Sequence, residues 1–128
     1  MVVQDLAAEY EALAFENVQQ FVLQPDPDKA IAIVPYGSLL PTEAFGTETP
    51  THESPRVQVQ VRGEPNDPEE PGTRAYELWK ATPKQMVQLA SGATYRHLKV
   101  LTSPVLLKQD AQKRWVWTFN VEAWKEVE

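Results

Sequence analysis

The side chains with the widest catalytic repertoire in this sequence are two histidines and the carboxylate beside one of them. His52 and Glu53 are adjacent, and His97 follows later in the chain. Two imidazoles with a nearby carboxylate have the chemistry to bind zinc or to serve as acid and base. Nothing in their spacing requires either role, so the simpler interpretation is a pair of ordinary exposed histidines.

The common catalytic and metal-binding motifs are absent. The sequence has no P-loop, no glycine fingerprint of a dinucleotide-binding fold, no Gly-x-Ser-x-Gly elbow and no His-Glu-x-x-His pair. Acidic residues do occur beside prolines, at Asp26 and Asp28 and again at 67–70, but a calcium loop needs a denser set of ligands around a glycine. We therefore expect no metal and no cofactor.

The composition of the chain excludes further classes of function. The chain has 128 residues, a formal net charge of -6 and no cysteine. This charge argues against a free-standing nucleic-acid binder, whose affinity comes from lysine and arginine, and the missing cysteines exclude disulfides and thiolate chemistry. No apolar run approaches the roughly 20 residues that span a bilayer. We expect one domain over residues 1–128, made in the cytosol, with no membrane contact.

Any functional side chain is positioned by a sheet, and the clearest strand of that sheet is predicted at 54–63. Val57, Val59 and Val61 alternate there with Arg56, Gln58, Gln60 and Arg62, which places the valines on a core face and the polar residues on the opposite face. The apolar run 30–34 predicts a strand buried on both faces beside it. Between the two, residues 36–54 predict a long loop that is either floppy or ordered by a partner.

Helical periodicity predicts the elements that cover the valine face. Residues 2–15 carry an apolar stripe, and apolar residues recur at helical spacing in 73–81. Pro83 predicts a break, followed by a second short helix at 84–89.

The remainder of the chain predicts strands at 95–101, 105–109 and 114–123. In the last of these Trp115, Trp117 and Phe119 share one face. The order of elements predicts an α+β domain: a mostly antiparallel single sheet with an N-terminal helix and a central, proline-broken helix packed on one face.

Several short motifs occur together in this chain. They are the Pro-x-Pro loop that leads into the apolar strand at 25–34, the strand 55–62 before a helix with Ala75, Tyr76 and Trp79, the Ser103–Pro104 corner, and a last strand that opens with Arg114 and reaches Asn120. Together they resemble the small minor capsid and tail-terminator proteins of long-tailed bacteriophages. The resemblance covers most of the chain through short, degenerate motifs. This sequence departs from the family at Pro83, which divides the helix, and at 36–54, where the family often has a tighter turn.

The resemblance implies a virion protein of the head–tail neck without enzymatic activity. Such a protein forms a ring of identical subunits, usually a hexamer, on the last ring of the tail tube, where it stops tube polymerisation and offers a surface to the head connector. Its implied partners are copies of itself, the tail tube protein and the head connector or stopper protein. DNA would only pass through the lumen, and acidic residues facing inward would repel it.

Two groups of residues are candidates for these contacts. The polar strand face of Arg56, Gln58, Gln60 and Arg62 can exchange hydrogen bonds with a neighbouring subunit, although a merely solvated face explains it as well. Leu39, Leu40 and Phe45 are unusual in a solvated loop, and we expect them to dock on the adjacent subunit or on the tail tube.

Alternatives remain open at the level of sequence. A connector or stopper protein on the head side of the neck belongs to the same structural class. A small ligand- or peptide-binding module, or an enzyme with an unfamiliar site around His52, Glu53 and His97, belongs to a different class.

Overall fold

The computed structural model describes residues 2–43, 50–82, 85–88, 92 and 94–126. Over these residues the chain is α+β. In order along the chain, the elements are α1 (Val2–Ala12), β1 (Val18–Gln20), β2 (Ala30–Glu43), β3 (Pro50–Pro65), α2 (Glu69–Ala81), β4 (Gln85–Gln88), β5 (Thr94–Val100), β6 (Val105–Gln109) and β7 (Arg114–Glu126).

The seven described strands form one mixed sheet. Its order is β1-β2-β3-β7-β5-β4, and β6 pairs with β7 beside that path. Every described pairing is antiparallel except that of β1 with β2. The two longest pairings join β3 to β2 and to β7, so β3 lies in the middle of the sheet.

Both helices pack on the valine face of β3, as the sequence predicts. Val57, Val59 and Val61 are fully buried there, together with the apolar stripe of α1 and with Ala75 and Leu78 of α2. The core also takes side chains from the neighbouring strands: Ile31, Ile33, Tyr95, Leu98, Phe119, Val121 and Ala123. Burying such side chains contributes about 1.5–3 kcal/mol each, which makes this one layer of contacts the main source of stability.

Two buried hydrogen bonds fix α1, one to the end of α2 and one to the sheet. The Tyr10 hydroxyl lies 2.9 Å from Oγ1 of Thr82, the residue that follows α2. The Tyr95 hydroxyl of β5 donates to the carboxylate of Asp5. Because an unpaired polar group in an apolar core is costly, these pairs select one position of the helix along the sheet.

The long loop predicted at 36–54 is wrong over most of its length. The β2–β3 pairing continues outward through Gly37↔Arg56 and Leu39↔Ser54 to Glu43↔Pro50, and only residues 44–49 fall outside the described part. Register shifts after Pro35 and on either side of Thr42 interrupt this ladder. Such irregularities let prolines and polar residues stay in a strand, because a bulge leaves ladder positions unpaired.

The second helix predicted after Pro83 is also wrong. Helix α2 ends at Ala81, and Thr82 has ψ of 120°, an extended conformation that the ring of a following proline favours. The Thr82 hydroxyl and backbone amide both donate to the Leu78 carbonyl, so Thr82 closes α2 and does not cap a new helix. Residues 85–88 instead form β4, which pairs with β5.

Helix α2 begins earlier than its apolar periodicity predicts. Asp67 accepts hydrogen bonds at 3.2 Å from the amides of both Glu69 and Glu70, which satisfies two donors of the first turn. Pro71 is tolerated in that turn, since its missing amide hydrogen would have no helical partner there.

Candidate functional site

The polar residues of β3 lie on the second face of the sheet, the face turned away from the helices. Arg56 forms a salt bridge of 3.0 Å with Glu122, its cross-strand partner on β7. The Gln60 side chain donates to Oε1 of Gln58 at 2.7 Å. The prediction that they share one face is confirmed, and the prediction that some of them contact a neighbouring subunit stays a prediction.

Arg62, in contrast, forms its hydrogen bonds within the subunit. Its side chain is only 3% exposed. Its Nε donates to the Asp28 carbonyl at 2.9 Å, and its Nη2 donates to the Pro27 carbonyl. Arg62 therefore holds the proline-rich connection between β1 and β2 against the second face.

Arg114, the first residue of β7, completes this attachment. It is 4% exposed. Its Nε donates to Asp110 at 2.8 Å, while Nη1 donates to the Pro25 carbonyl at 2.6 Å and to the Asp28 carboxylate at 3.1 Å. Sequence reasoning identified Arg114 only through the family resemblance, because its partners at Pro25 and Asp28 are remote in the chain.

The pKa values of these groups follow from burial and from their partners. Burial lowers the pKa of Arg62, and the adjacent Arg114 charge lowers it further. Burial alone would lower the pKa of Arg114, but its bonds to Asp110 and Asp28 outweigh that and raise it. Burial alone would raise the pKa of Asp110. The Asp110 carboxylate accepts hydrogen bonds from Arg114 and Gln112, and these bonds hold its pKa below the ordinary value.

The two arginines line a groove of about 400 Å³ on the second face, which we call the second-face groove. One wall is apolar and comes from the β1–β2 connection and from β2. Lys108 and Asp110 approach from the end of β6. The full lining is Phe21, Val22, Leu23, Pro25, Val34, Gln60, Arg62, Lys108, Asp110, Arg114 and Val116.

A second exposed feature is β6. Its side chains are all exposed, including Val105 at 51% and Leu106 and Leu107 at 45% each. Among the described strands β6 pairs only with β7, so its other edge is open. Sequence reasoning identified the strand and missed its exposure, because three consecutive aliphatic residues without alternation are typical of a strand buried on both faces.

The histidines of the catalytic alternative lie on strands that flank β7. In the backbone register His52 of β3 pairs with Glu126, and His97 of β5 pairs with Trp124. Among the residues described, no group of three or more histidine, aspartate or glutamate side chains could hold a metal ion.

The three apolar residues of the predicted loop have different positions. Leu39 and Leu40 belong to β2, in the outer part of its hairpin with β3. Phe45 lies outside the described residues. Their docking on a neighbour stays a prediction.

Comparisons with known proteins bear on the fold alone. No family model matches the chain, and no curated protein matches it. A solved structure whose name states no function is similar over 99% of this chain and 92% of its own, with a TM-score of 0.59 and 10% sequence identity. In the part of the chain that is described, no helix has the length and apolar character needed to cross a membrane.

Proposed function

We propose that this protein is a structural subunit of a phage virion, a tail terminator that forms a ring on the end of the tail tube, stops its polymerisation and joins it to the head connector. The role requires a subunit that binds copies of itself and two other proteins, and it requires no catalysis. The sequence motifs that resemble the tail-terminator family are one support. The exposed strand β6 is the structural observation that carries the proposal.

An open edge with three exposed aliphatic side chains is unusual for a protein that acts as a monomer. Edge strands offer unpaired amides and carbonyls to any other strand, and monomeric proteins protect them with charges, bulges or a covering segment. Here β6 has one bulge, between Leu106 and Lys108, and a single lysine. A partner that adds a strand to β6 would satisfy its backbone and cover Val105, Leu106 and Leu107.

A ring follows from such an edge if its partner is a different surface of the next copy. Contacts between unlike surfaces propagate around an axis and close when the rotation per subunit is right. The hairpin of β2 and β3, to which Leu39 and Leu40 belong, is the second surface that we propose for contacts with the neighbour or with the tail tube, and we propose the same contacts for Phe45. The polar second face, with Arg56, Gln58 and Gln60, is a third.

The test compares β6 with a matched exposed leucine. Leu107→Lys places a charge on the open edge, and Leu13→Lys makes the same change just after α1, at the same 45% exposure. We expect both variants to keep the wild-type unfolding midpoint, since neither side chain is in the core. Tails assembled with Leu107→Lys should be overlong or unjoined to heads, whereas Leu13→Lys should give tails of normal length. Normal tails with both variants would remove β6 from the proposal.

A further inference from the structure

The second-face groove contains hydrogen-bond donors that the fold leaves unused. A guanidinium has five N–H donors in a fixed plane. Arg62 uses its Nε and Nη2, and Arg114 uses its Nε and Nη1, to hold the β1–β2 connection and Asp110. Nη1 of Arg62 and Nη2 of Arg114 donate to no group in the described part of the chain. Both residues line the groove.

The other walls of the groove determine what kind of molecule these donors suit. Phe21 and Val22 are 41% and 54% exposed at its rim, and Val34 and Val116 add apolar surface. A volume of about 400 Å³ lies within the range of small-ligand sites. We propose that the second-face groove binds a carboxylate carried on a short apolar body, with the carboxylate on the free guanidinium nitrogens of Arg62 and Arg114 and the apolar body against Phe21 and Val22.

Charge favours a carboxylate over a phosphate. The groove holds three cations, Arg62, Lys108 and Arg114, and the carboxylates of Asp110 and Asp28 already contact Arg114. Asp26 also acts on the Arg62 charge, so the cations and carboxylates here nearly balance, and a singly charged ligand meets less repulsion than a doubly charged phosphate. The planar guanidinium fork also matches the two oxygens of a carboxylate.

A carboxylate on a short apolar body can come from two sources. One is a free organic acid. The other is an acidic side chain of a second copy, and the segment 63–72, which runs from the end of β3 into α2, offers exposed glutamates at Glu64 and Glu69. The binding chemistry is the same in both cases and does not depend on the tail-terminator proposal, since it is measured on the isolated subunit.

The experiment is a nuclear magnetic resonance titration of the full-length ¹⁵N-labelled protein with sodium hexanoate at constant ionic strength. We expect saturable shifts of the Arg62 and Arg114 Nε–H signals and of the amides of Phe21 and Val22. Two control ligands are titrated in the same way: hexanol, which lacks the charge, and acetate, which lacks the apolar body. Each should bind at least about ten-fold more weakly, because a charge-assisted hydrogen bond and several buried methylenes are lost.

Matched lysine variants separate the groove from general surface charge. Lys108→Ala removes a lining cation and should weaken hexanoate binding about three-fold, whereas Lys113→Ala removes an exposed lysine outside the lining and should leave it unchanged. A peptide of residues 63–72 replaces hexanoate in a parallel titration. Tighter binding of the peptide at the same signals assigns the site to a second copy, and binding of hexanoate alone assigns it to a free acid. Shifts that do not saturate, or equal binding of hexanoate and hexanol, would overturn the proposal.

Discussion

Arg114→Met is the substitution that most directly tests how the β1–β2 connection is held. Methionine keeps much of the aliphatic stem and removes the guanidinium. The hydrogen bond to Asp110, with a nitrogen–oxygen distance of 2.8 Å, is worth about 1.5–3 kcal/mol because both groups are charged. The Asp28 side chain is 48% exposed, so that pair adds at most about 1 kcal/mol.

The Pro25 carbonyl can bond to water when Arg114 is lost, since its residue is exposed. We therefore expect a loss of about 2–4 kcal/mol in the free energy of unfolding, measured by urea denaturation. Hydrogen exchange at the Gln24 amide, which donates to Gln19, should also become faster. Lys113→Met, at an adjacent exposed cation, should change stability by no more than about 0.5 kcal/mol. A loss below about 1 kcal/mol with unchanged exchange at Gln24 would refute this account of the attachment.

Three further predictions concern the core and the pH dependence of stability. Tyr10→Phe removes the hydroxyl paired with Thr82 and should cost about 0.5–1.5 kcal/mol in urea unfolding; no loss would mean that the pair is energetically neutral. Gly72→Ala places a Cβ 2.8 Å from the Trp117 ring and should cost about 1–3 kcal/mol, visible as a lower thermal midpoint. The folded-state pKa of Asp110 is depressed, so its stabilising contribution is present above the unfolded-state pKa and is lost as pH falls through the folded value. Asp110→Asn should accordingly flatten the acid side of the stability–pH curve, and an unchanged acid limb would contradict this.

Local periodicity was sufficient to predict the middle of the fold. The alternation around Val59 placed β3 and its buried face, and the spacing of Leu6 and Tyr10 placed the buried stripe of α1. These signals work because a strand repeats every two residues and an amphipathic helix every three or four, so a few neighbours determine which face is apolar.

The parts that sequence reasoning missed depend on contacts between remote residues. The outer β2–β3 hairpin has no alternation to reveal it, and its pairing becomes evident only when the inner register is extended past Pro35. Strand β4 carries too few residues for a period, and it is fixed by its partner β5. The attachment of Asp28 by Arg114 joins residues 86 positions apart, a separation at which no sequence spacing carries information.

The candidate binding surfaces also combine features that local sequence predicts with features that depend on remote contacts. The shared polar face of Gln58 and Gln60 follows from alternation, but the internal use of Arg62 does not, because it depends on the connection that folds over it. The open edge of β6 could not be inferred from the strand alone. Exposure of an edge depends on which strands lie beside it, and the sheet places β6 next to β7 only.

Electron microscopy of tails assembled with and without this protein is the most direct test of the proposed role. We expect overlong tails, or tails without heads, when the protein is absent, and normal joined tails when the wild-type protein is added back. Tails of normal length that join heads without it would contradict the tail-terminator proposal.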